Sequence, residues 1–322
     1  MKKFNWGIIA PGKIAKKFAA DLQLAESASL YAVSSRSLRN AEIFAESFPL
    51  EKCYDSYQKL IADPKVDVVY VAAPHAFHKR ITIDCLNAGK SVLCEKPLGL
   101  SATEVKEMID AAKANKVFLM EAIWTAFLPH YQYVKDLIYS EQTGAIHFMK
   151  SDFGFKAPFN SENRLFAKKL GGGSLLDIGI YPLFCALDLL GIPETVKASA
   201  TFAQTGVDTQ THAILGYQDK MVVASSSFVD TTPTETWIYC DDTTIRMCGR
   251  WHEPTSVEII ANGSVKTESF QVRGNGYQYE AIEVMNCLRK GNLQSDVLPW
   301  QKSLDLAKLI DRVKNDISLS YT

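Results

Sequence analysis

Along the first 120 residues, short and almost continuously apolar runs alternate with longer segments whose apolar positions recur at helical spacing. Asn5-Trp6-Gly7-Ile8-Ile9-Ala10 reads as a buried strand, and 14–24 as the helix after it. The unit repeats with a strand over 29–34 and a helix over 39–48, then a strand over 66–72 ending at Pro74 and a helix closing at Ala88-Gly89. A strand over 91–95 is stopped by Pro97, and Ser101-Ala102-Thr103-Glu104 has the form of a capping box opening a helix to about residue 115. One further strand covers 117–120. Strands without in-and-out alternation have no wet face, so this order predicts a parallel sheet covered by helices on both sides.

After Trp124 the pattern changes. A helix over 130–139 and a strand over 145–153 lead into a looped stretch rich in Gly, Asn and Lys, then an apolar helix over 174–190 ended by Gly191-Ile192-Pro193. From 196 to 272 successive strands show Thr/Ser/Val alternation, with turns such as Tyr217-Gln218-Asp219-Lys220 and Ala261-Asn262-Gly263-Ser264; helices over 277–289 and 301–314 close the chain. Alternation predicts a largely antiparallel sheet with helices on one face. The expected fold class is therefore α/β followed by α+β, with domains at 1–122 and 123–322.

Composition narrows the classes of function. Lys plus Arg is 35 and Asp plus Glu is 36 in 322 residues, a net charge of −1 that gives no electrostatic case for nucleic acid or for an anionic membrane. No apolar run reads as long enough to span a bilayer, and Met1-Lys2-Lys3-Phe4-Asn5-Trp6 enters a strand without the regions of a signal peptide. The seven cysteines contain no C-x-x-C pair and read as reduced core thiols, so a soluble cytoplasmic protein is expected.

Three segments carry candidate chemistry. Ala10-Pro11-Gly12-Lys13-Ile14-Ala15 joins the first strand to the first helix and aligns with G-x-G-x-x-G/A, with Ala10, Gly12 and Ala15 at the key positions. Gly12 would let the backbone approach a pyrophosphate at a helix N-terminus; the bland reading is a plain strand–turn–helix corner. At the end of the second strand, Ser34-Ser35-Arg36-Ser37 has no carboxylate for a ribose hydroxyl, whereas Arg36 can pair bidentately with a 2′-phosphate, which favours NADP over NAD; a solvated loop arginine is the alternative. Cys94-Glu95-Lys96-Pro97 lies at the carboxyl end of a central strand, where Lys96 can stabilise a developing alkoxide, or where it is a surface lysine in a turn. Gly171 to Tyr181 is the third: Asp177 and Tyr181, four apart, share a helical face and suit polyol binding and proton transfer, or cap and pack a helix end.

In combination and in this order, the segments at 6–15, Ala73-Pro74-His75-Ala76-Phe77-His78, Glu95-Lys96-Pro97 and Asp177-Ile178-Gly179-Ile180-Tyr181 resemble the Gfo/Idh/MocA oxidoreductases over essentially the whole chain. Met120-Glu121-Ala122-Ile123-Trp124-Thr125 and 171–181 look most like the branch of dimeric dihydrodiol dehydrogenases and NADP-dependent D-xylose dehydrogenases. The resemblance implies an N-terminal Rossmann domain binding NADP and a C-terminal substrate domain whose open sheet face forms a homodimer. It implies nucleotide contacts from Ala10, Gly12, Lys13, Ile14, Ser35, Arg36, Pro74, His75, His78, Glu95 and Lys96. Lys96 would contact nicotinamide ribose and substrate, Tyr181 would be the proton donor, and Asp177 is the preceding acid of the same motif. Trp124, Phe153 and Trp251 fall where that branch lines its pocket with aromatics. His75 and His78 are spaced like a metal pair but no Cys or carboxylate completes the set, so no metal is expected; His130, His147, His212 and His252 receive no role.

The expected reaction is reversible hydride transfer between NADP and a secondary alcohol or carbonyl of a sugar, polyol or cyclic diol. A rival is a regulator that kept the fold and lost catalysis; retention of both Lys96 and Tyr181 argues against it. Another is an oxidoreductase that keeps its nucleotide bound and regenerates it with a second sugar.

Overall fold

The computed structural model describes residues 2–321. It divides into two compact units: Met1–Gly99, Thr103–Phe127 and Arg273–Leu304 form the first, and Leu100–Ala102, Leu128–Val272 and Asp305–Thr322 the second. The sequence pattern assigns everything after 122 to a second domain, but the segment 273–304 packs with the first.

In the first unit the chain runs β1 (Phe4–Ile9), α1 (Lys13–Leu22), β2 (Ala28–Ser34), α2 (Leu38–Ala45), β3 (Lys52–Tyr54), α3 (Tyr57–Ala62), β4 (Val68–Val71), α4 (His78–Asn87), β5 (Ser91–Glu95), α5 (Ala102–Asn115) and β6 (Leu119–Ala122). The sheet order is β3-β2-β1-β4-β5-β6, and every pairing is parallel. β4 and β6 are buried at every residue, as strands covered on both faces must be. On α1, Ala15, Phe18, Ala19 and Leu22 repeat at helical spacing and are buried, with Phe18 stacked on Tyr70 of β4 at 3.8 Å. β3 and α3 were absent from the sequence reading; a three-residue edge strand with no fully buried position leaves no apolar run to detect.

The second unit contains α6 (Pro129–Tyr139), β7 (Ile146–Gly154), α7 (Ile180–Leu190), β8 (Thr195–Phe202), β9 (Asp208–Gly216), β10 (Met221–Ser227), β11 (Thr236–Cys240), β12 (Thr244–Met247), β13 (Val257–Ala261) and β14 (Ser264–Glu268). The helix α8 (Gln278–Lys290) belongs to the first unit, and α9 (Trp300–Asp316) ends in the second. The eight strands lie in the order β14-β13-β12-β11-β7-β10-β9-β8; β7 and β10 pair in parallel and the other pairs are antiparallel. Along β10, Val222, Ala224 and Ser226 are buried, while Met221, Val223 and Ser225 between them are exposed or half-buried. This is the period-two pattern of a sheet covered on one side.

By length and composition the stretch Lys168–Leu190 is apolar enough to cross a membrane, contrary to the sequence reading, yet 94% of its apolar window is buried inside the protein. It is the core helix of the second unit. Its N-terminal part departs from α geometry: Leu175–Gly179 form a π-helical turn that leads into α7.

Candidate functional site

The turn between β1 and α1 offers donors and space. Ala10 has φ +67°, so the alanine standing where the fingerprint has its first glycine adopts the left-handed conformation that glycine usually supplies. The Ala10 N–H donates to Ser34 O (3.1 Å) and the Gly12 N–H to Ala10 O (2.8 Å), which fixes the corner. A Cβ built at Gly12 would meet nothing within 4 Å. The first turn of α1 has no side-chain cap and no acidic residue, so its N–H groups keep their positive end for an anion. Lys13 and Arg36 are exposed, Ile14 and Ser35 half-buried, and neither Lys13 nor Arg36 makes an ion pair among the described residues. A dinucleotide diphosphate fits this donor set. Such a nucleotide supplies the hydride chemistry when bound.

The loops after β4 and β5 are tied by one ring. His78 is fully buried, with Nδ1 2.8 Å from Pro97 O and Nε2 2.7 Å from Ala73 O; burial lowers its pKa below the usual imidazole value. The protonated nitrogen of the neutral ring donates to one of these carbonyls, and the ring lies between the Ala73-Pro74-His75 turn and the Lys96-Pro97 turn, whose peptide bond is cis. His75 is buried beside it at 5.7 Å, and Lys96 is half-buried. Among the described residues no group of three His, Cys, Asp or Glu is placed to hold a metal.

Buried carboxyls surround the Lys96 turn. The Tyr70 hydroxyl donates to Glu95. Glu121 accepts from the Leu98 N–H (2.8 Å), and burial pushes its pKa up to about 7. Glu280, on α8, is fully buried with both carboxyl oxygens lacking a hydrogen-bond partner; burial, then Glu95 and Asp21, push its pKa well above the usual carboxylate range. Trp124 stacks on Tyr277 at 4.1 Å with the planes 3° apart. Sequence reasoning missed Glu280 and Tyr277, because nothing local in 277–280 announces that this segment returns to the first unit.

In the second unit, Tyr181, Phe153 and His252 meet. Phe153, one residue before the end of β7, lies 5.8 Å from the Tyr181 ring, and the His252 ring stacks on Phe153 at 3.9 Å. Asp177 sits in the π-helical turn, so it and Tyr181 do not have the simple α-helical face the sequence reading assumed. That turn is anchored by the buried Asp208, which accepts from Ser174 Oγ (2.6 Å), the Leu175 N–H (2.7 Å) and Thr211 Oγ (2.8 Å). Arg164, from the loop after β7, donates to Asp177 at 2.9 and 3.5 Å, the fork geometry of a bidentate pair. Arg164 and His252 were not identified from the sequence. Trp251 was expected to line a pocket, but it has no exposed surface and gives its indole N–H to Asp152 O (3.0 Å). It backs the cluster, and its neighbour His252 supplies the ring.

The first unit and its nucleotide corner define the class: an NAD(P)-binding oxidoreductase. The family model described as "Oxidoreductase family, NAD-binding Rossmann fold" matches residues 4–123, and that of the "GFO/IDH/MocA C-terminal domain" matches residues 131–246. The chain belongs to the Gfo/Idh/MocA family and is an oxidoreductase acting on CH–OH groups. It is 36% identical to a trans-1,2-dihydrobenzene-1,2-diol dehydrogenase of Xenopus laevis, covering 98% of this chain and 99% of that one, and 32% identical to the protein of the same name from Homo sapiens, covering 98% of each. Among solved structures, an aldose-aldose oxidoreductase from Caulobacter crescentus complexed with glycerol superposes with a TM-score of 0.90 at 20% identity over 98% of each chain. A 3-ketoreductase from Actinomadura kijaniata, in complex with NADP, gives 0.86 at 23% over 98% of each. A levoglucosan dehydrogenase in complex with NADH gives 0.89 at 17% over 98% of this chain and 97% of that one.

Proposed function

We propose that the chain transfers a hydride between NADP and a secondary alcohol or carbonyl of a sugar, polyol or cyclic diol, working in the cytoplasm as a homodimer. The observation that carries the reaction is the Tyr181 cluster: a phenol among aromatic rings that suit the apolar face of a sugar or diol ring, on the same segment as a carboxylate fixed by Arg164. Lys96 polarises the substrate oxygen, Tyr181 passes the proton, and the Arg164–Asp177 pair binds a substrate hydroxyl. The dihydrodiol dehydrogenase names of the relatives support a diol or sugar-like substrate.

The choice of NADP rests on Arg36, since the neighbours include complexes with NADP and with NADH. With serines on either side and no carboxylate there to accept from a 2′-hydroxyl, Arg36 favours a 2′-phosphate. Replacing Arg36 with Asp is expected to weaken NADPH binding by about tenfold or more relative to NADH; an unchanged ratio sinks the NADP assignment. The dimer would form through the open sheet face, where Ile214, Val223, Lys150, Trp237 and Arg246 align across five strands and Met221 is exposed. Analytical ultracentrifugation tests it, and a monomer at micromolar concentration refutes it.

A screen of sugars, inositols and diols with NADP and NAD, followed at the nicotinamide absorbance band, tests the function. Turnover of a member of these classes is expected; NADPH binding without turnover of any of them refutes the catalytic reading in favour of a nucleotide-sensing regulator.

A further inference from the structure

The loop after β12 carries a side chain that a purely structural cluster would not need. His252 is buried, its ring stacked on Phe153 (3.9 Å, 25°) and 5.2 Å from the ring of Tyr181. The loop that presents it is pinned by the Trp251 N–H to Thr234 O (3.1 Å), by the Trp251 indole to Asp152 O (3.0 Å), and by His130 Nε2 against Trp251 O (2.8 Å). An imidazole in an aromatic setting is costly to bury without a polar reason, and a phenylalanine would stack as well. Glu253 supplies the counter-charge: its Oε1 lies 3.5 Å from His252 Nε2, and its Oε2 accepts from Arg250 Nε at 3.0 Å.

We propose that the Glu253–His252 pair is a charged device set against Tyr181, and that it governs when the Tyr181 phenol gives up its proton. The inference rests on Tyr181 being the proton-transfer group proposed above. Phe153 of β7 covers one face of the His252 ring, Tyr181 comes from α7, Glu253 from the same loop, and His130 from α6. Burial lowers His130 to about 4, so it stays neutral and adds no charge. Burial alone would raise the Glu253 carboxyl, but His252 and Arg250 outweigh it and hold that carboxyl well below the usual range. The member of the pair touching the aromatic cluster is the imidazole; protonated, as the Glu253 carboxylate 3.5 Å away favours, it sets a positive charge nearer Tyr181 than the carboxylate's, and a positive neighbour favours phenolate. His252 is thus a positioning and charging residue acting through Tyr181.

The test is the pH profile of NADP-dependent alcohol oxidation from about pH 6 to about pH 10 for the wild type, His252→Gln, His252→Phe and Glu253→Gln. The phenolate form is the base for oxidation, so removing the imidazole is expected to move the rising limb of kcat up by about one pH unit or more. The rate near pH 7 then falls by about tenfold and recovers as pH rises, with NADPH binding unchanged. Glu253→Gln moves the limb the same way by less. His252→Phe keeps the stack on Phe153, so packing and charge separate. A second readout needs no turnover: tyrosinate absorbance titrated in the nucleotide-free protein, with the Tyr181 signal taken as the difference from Tyr181→Phe, should shift up in His252→Gln. Superimposable profiles overturn the proposal, and so does a loss uniform in pH with an unmoved tyrosinate titration. Full activity in Tyr181→Phe would instead remove the proton-transfer reading itself, whereas an inactive Tyr181→Phe beside unmoved His252 profiles removes only this inference.

Discussion

The nucleotide corner of the first unit and the Tyr181 cluster of the second are built from different materials. The corner is mostly backbone and space: a left-handed Ala10, a Gly12 with nothing near its absent Cβ, and the uncapped amides of α1. Its parts fall in two short segments, 10–15 and 34–37, that end the neighbouring strands β1 and β2. The cluster is made of side chains: the rings of Phe153, Tyr181 and His252 meet from a sheet, a helix and a loop, and Arg164 pairs with Asp177 in the π-helical turn that leads to Tyr181. Backbone sites tolerate change wherever no atom intrudes on the ligand. Side-chain sites fail when a single group is lost.

The sharpest way to break this contrast is at Tyr181. Tyr181→Phe keeps the ring against Phe153 and removes only the hydroxyl, so kcat should fall by about 10²–10⁴-fold, equivalent to roughly 3–5 kcal/mol of barrier, while NADPH binding measured by fluorescence stays intact. A kcat within about threefold of the wild type would show that the cluster owes its chemistry to something other than the phenol.

The buried carboxyls beneath Lys96 extend the comparison to stability. The pKa of Glu121 stands at about 7 in the folded protein against an ordinary 4.5, because burial disfavours its charge. Between those values the folded state holds a proton that the unfolded chain has released, so stability falls as pH rises through the window and the loss is complete above about 7. The span corresponds to about 3 kcal/mol. Glu121→Gln stays neutral and can still accept from the Leu98 N–H, so its stability relative to the wild type should grow between pH 5 and pH 8 in urea unfolding. An identical difference at both pH values would mean that Glu121 does not titrate in this range.

The same division explains what the sequence could tell. The parallel sheet was legible because β1, β4 and β5 are apolar on both faces, and the corner was legible because its elements are local. β3 escaped because one exposed and two half-buried residues carry no pattern. The return of 273–304 to the first unit, with Tyr277 stacking on Trp124 and Glu280 buried, depends on contacts more than 150 positions apart that no window can register. Asp177 and Tyr181 were found as residues, but the π-helical turn between them was not, since its apolar spacing matches that of an α-helix. Trp251 and His252 are adjacent in sequence, and only burial shows which of them meets the cluster and which supports it.

Gly12→Ala tests the corner as a backbone site. At φ −84° and with no atom within 4 Å, the added methyl costs the fold nothing by contact, so the melting temperature should hold. The methyl would stand where a diphosphate approaches, and NADPH affinity should drop by about tenfold, or about 1.4 kcal/mol. Unchanged affinity would place the diphosphate elsewhere.

The smallest effect is expected at Ala10, and it asks how far an alanine can replace the fingerprint's glycine. A non-glycine residue at φ +67° carries about 1–2 kcal/mol of local strain, which Ala10→Gly would relieve. The glycine also gives the unfolded chain more freedom, which offsets roughly 0.5–1 kcal/mol of that gain. Stability should therefore rise by no more than about 1.5 kcal/mol. Because the turn already has the glycine-like conformation, NADPH affinity should change by less than about twofold. A tenfold gain would mean that the Ala10 methyl itself crowds the nucleotide, and that the corner is limited by a side chain after all, as the Tyr181 cluster is.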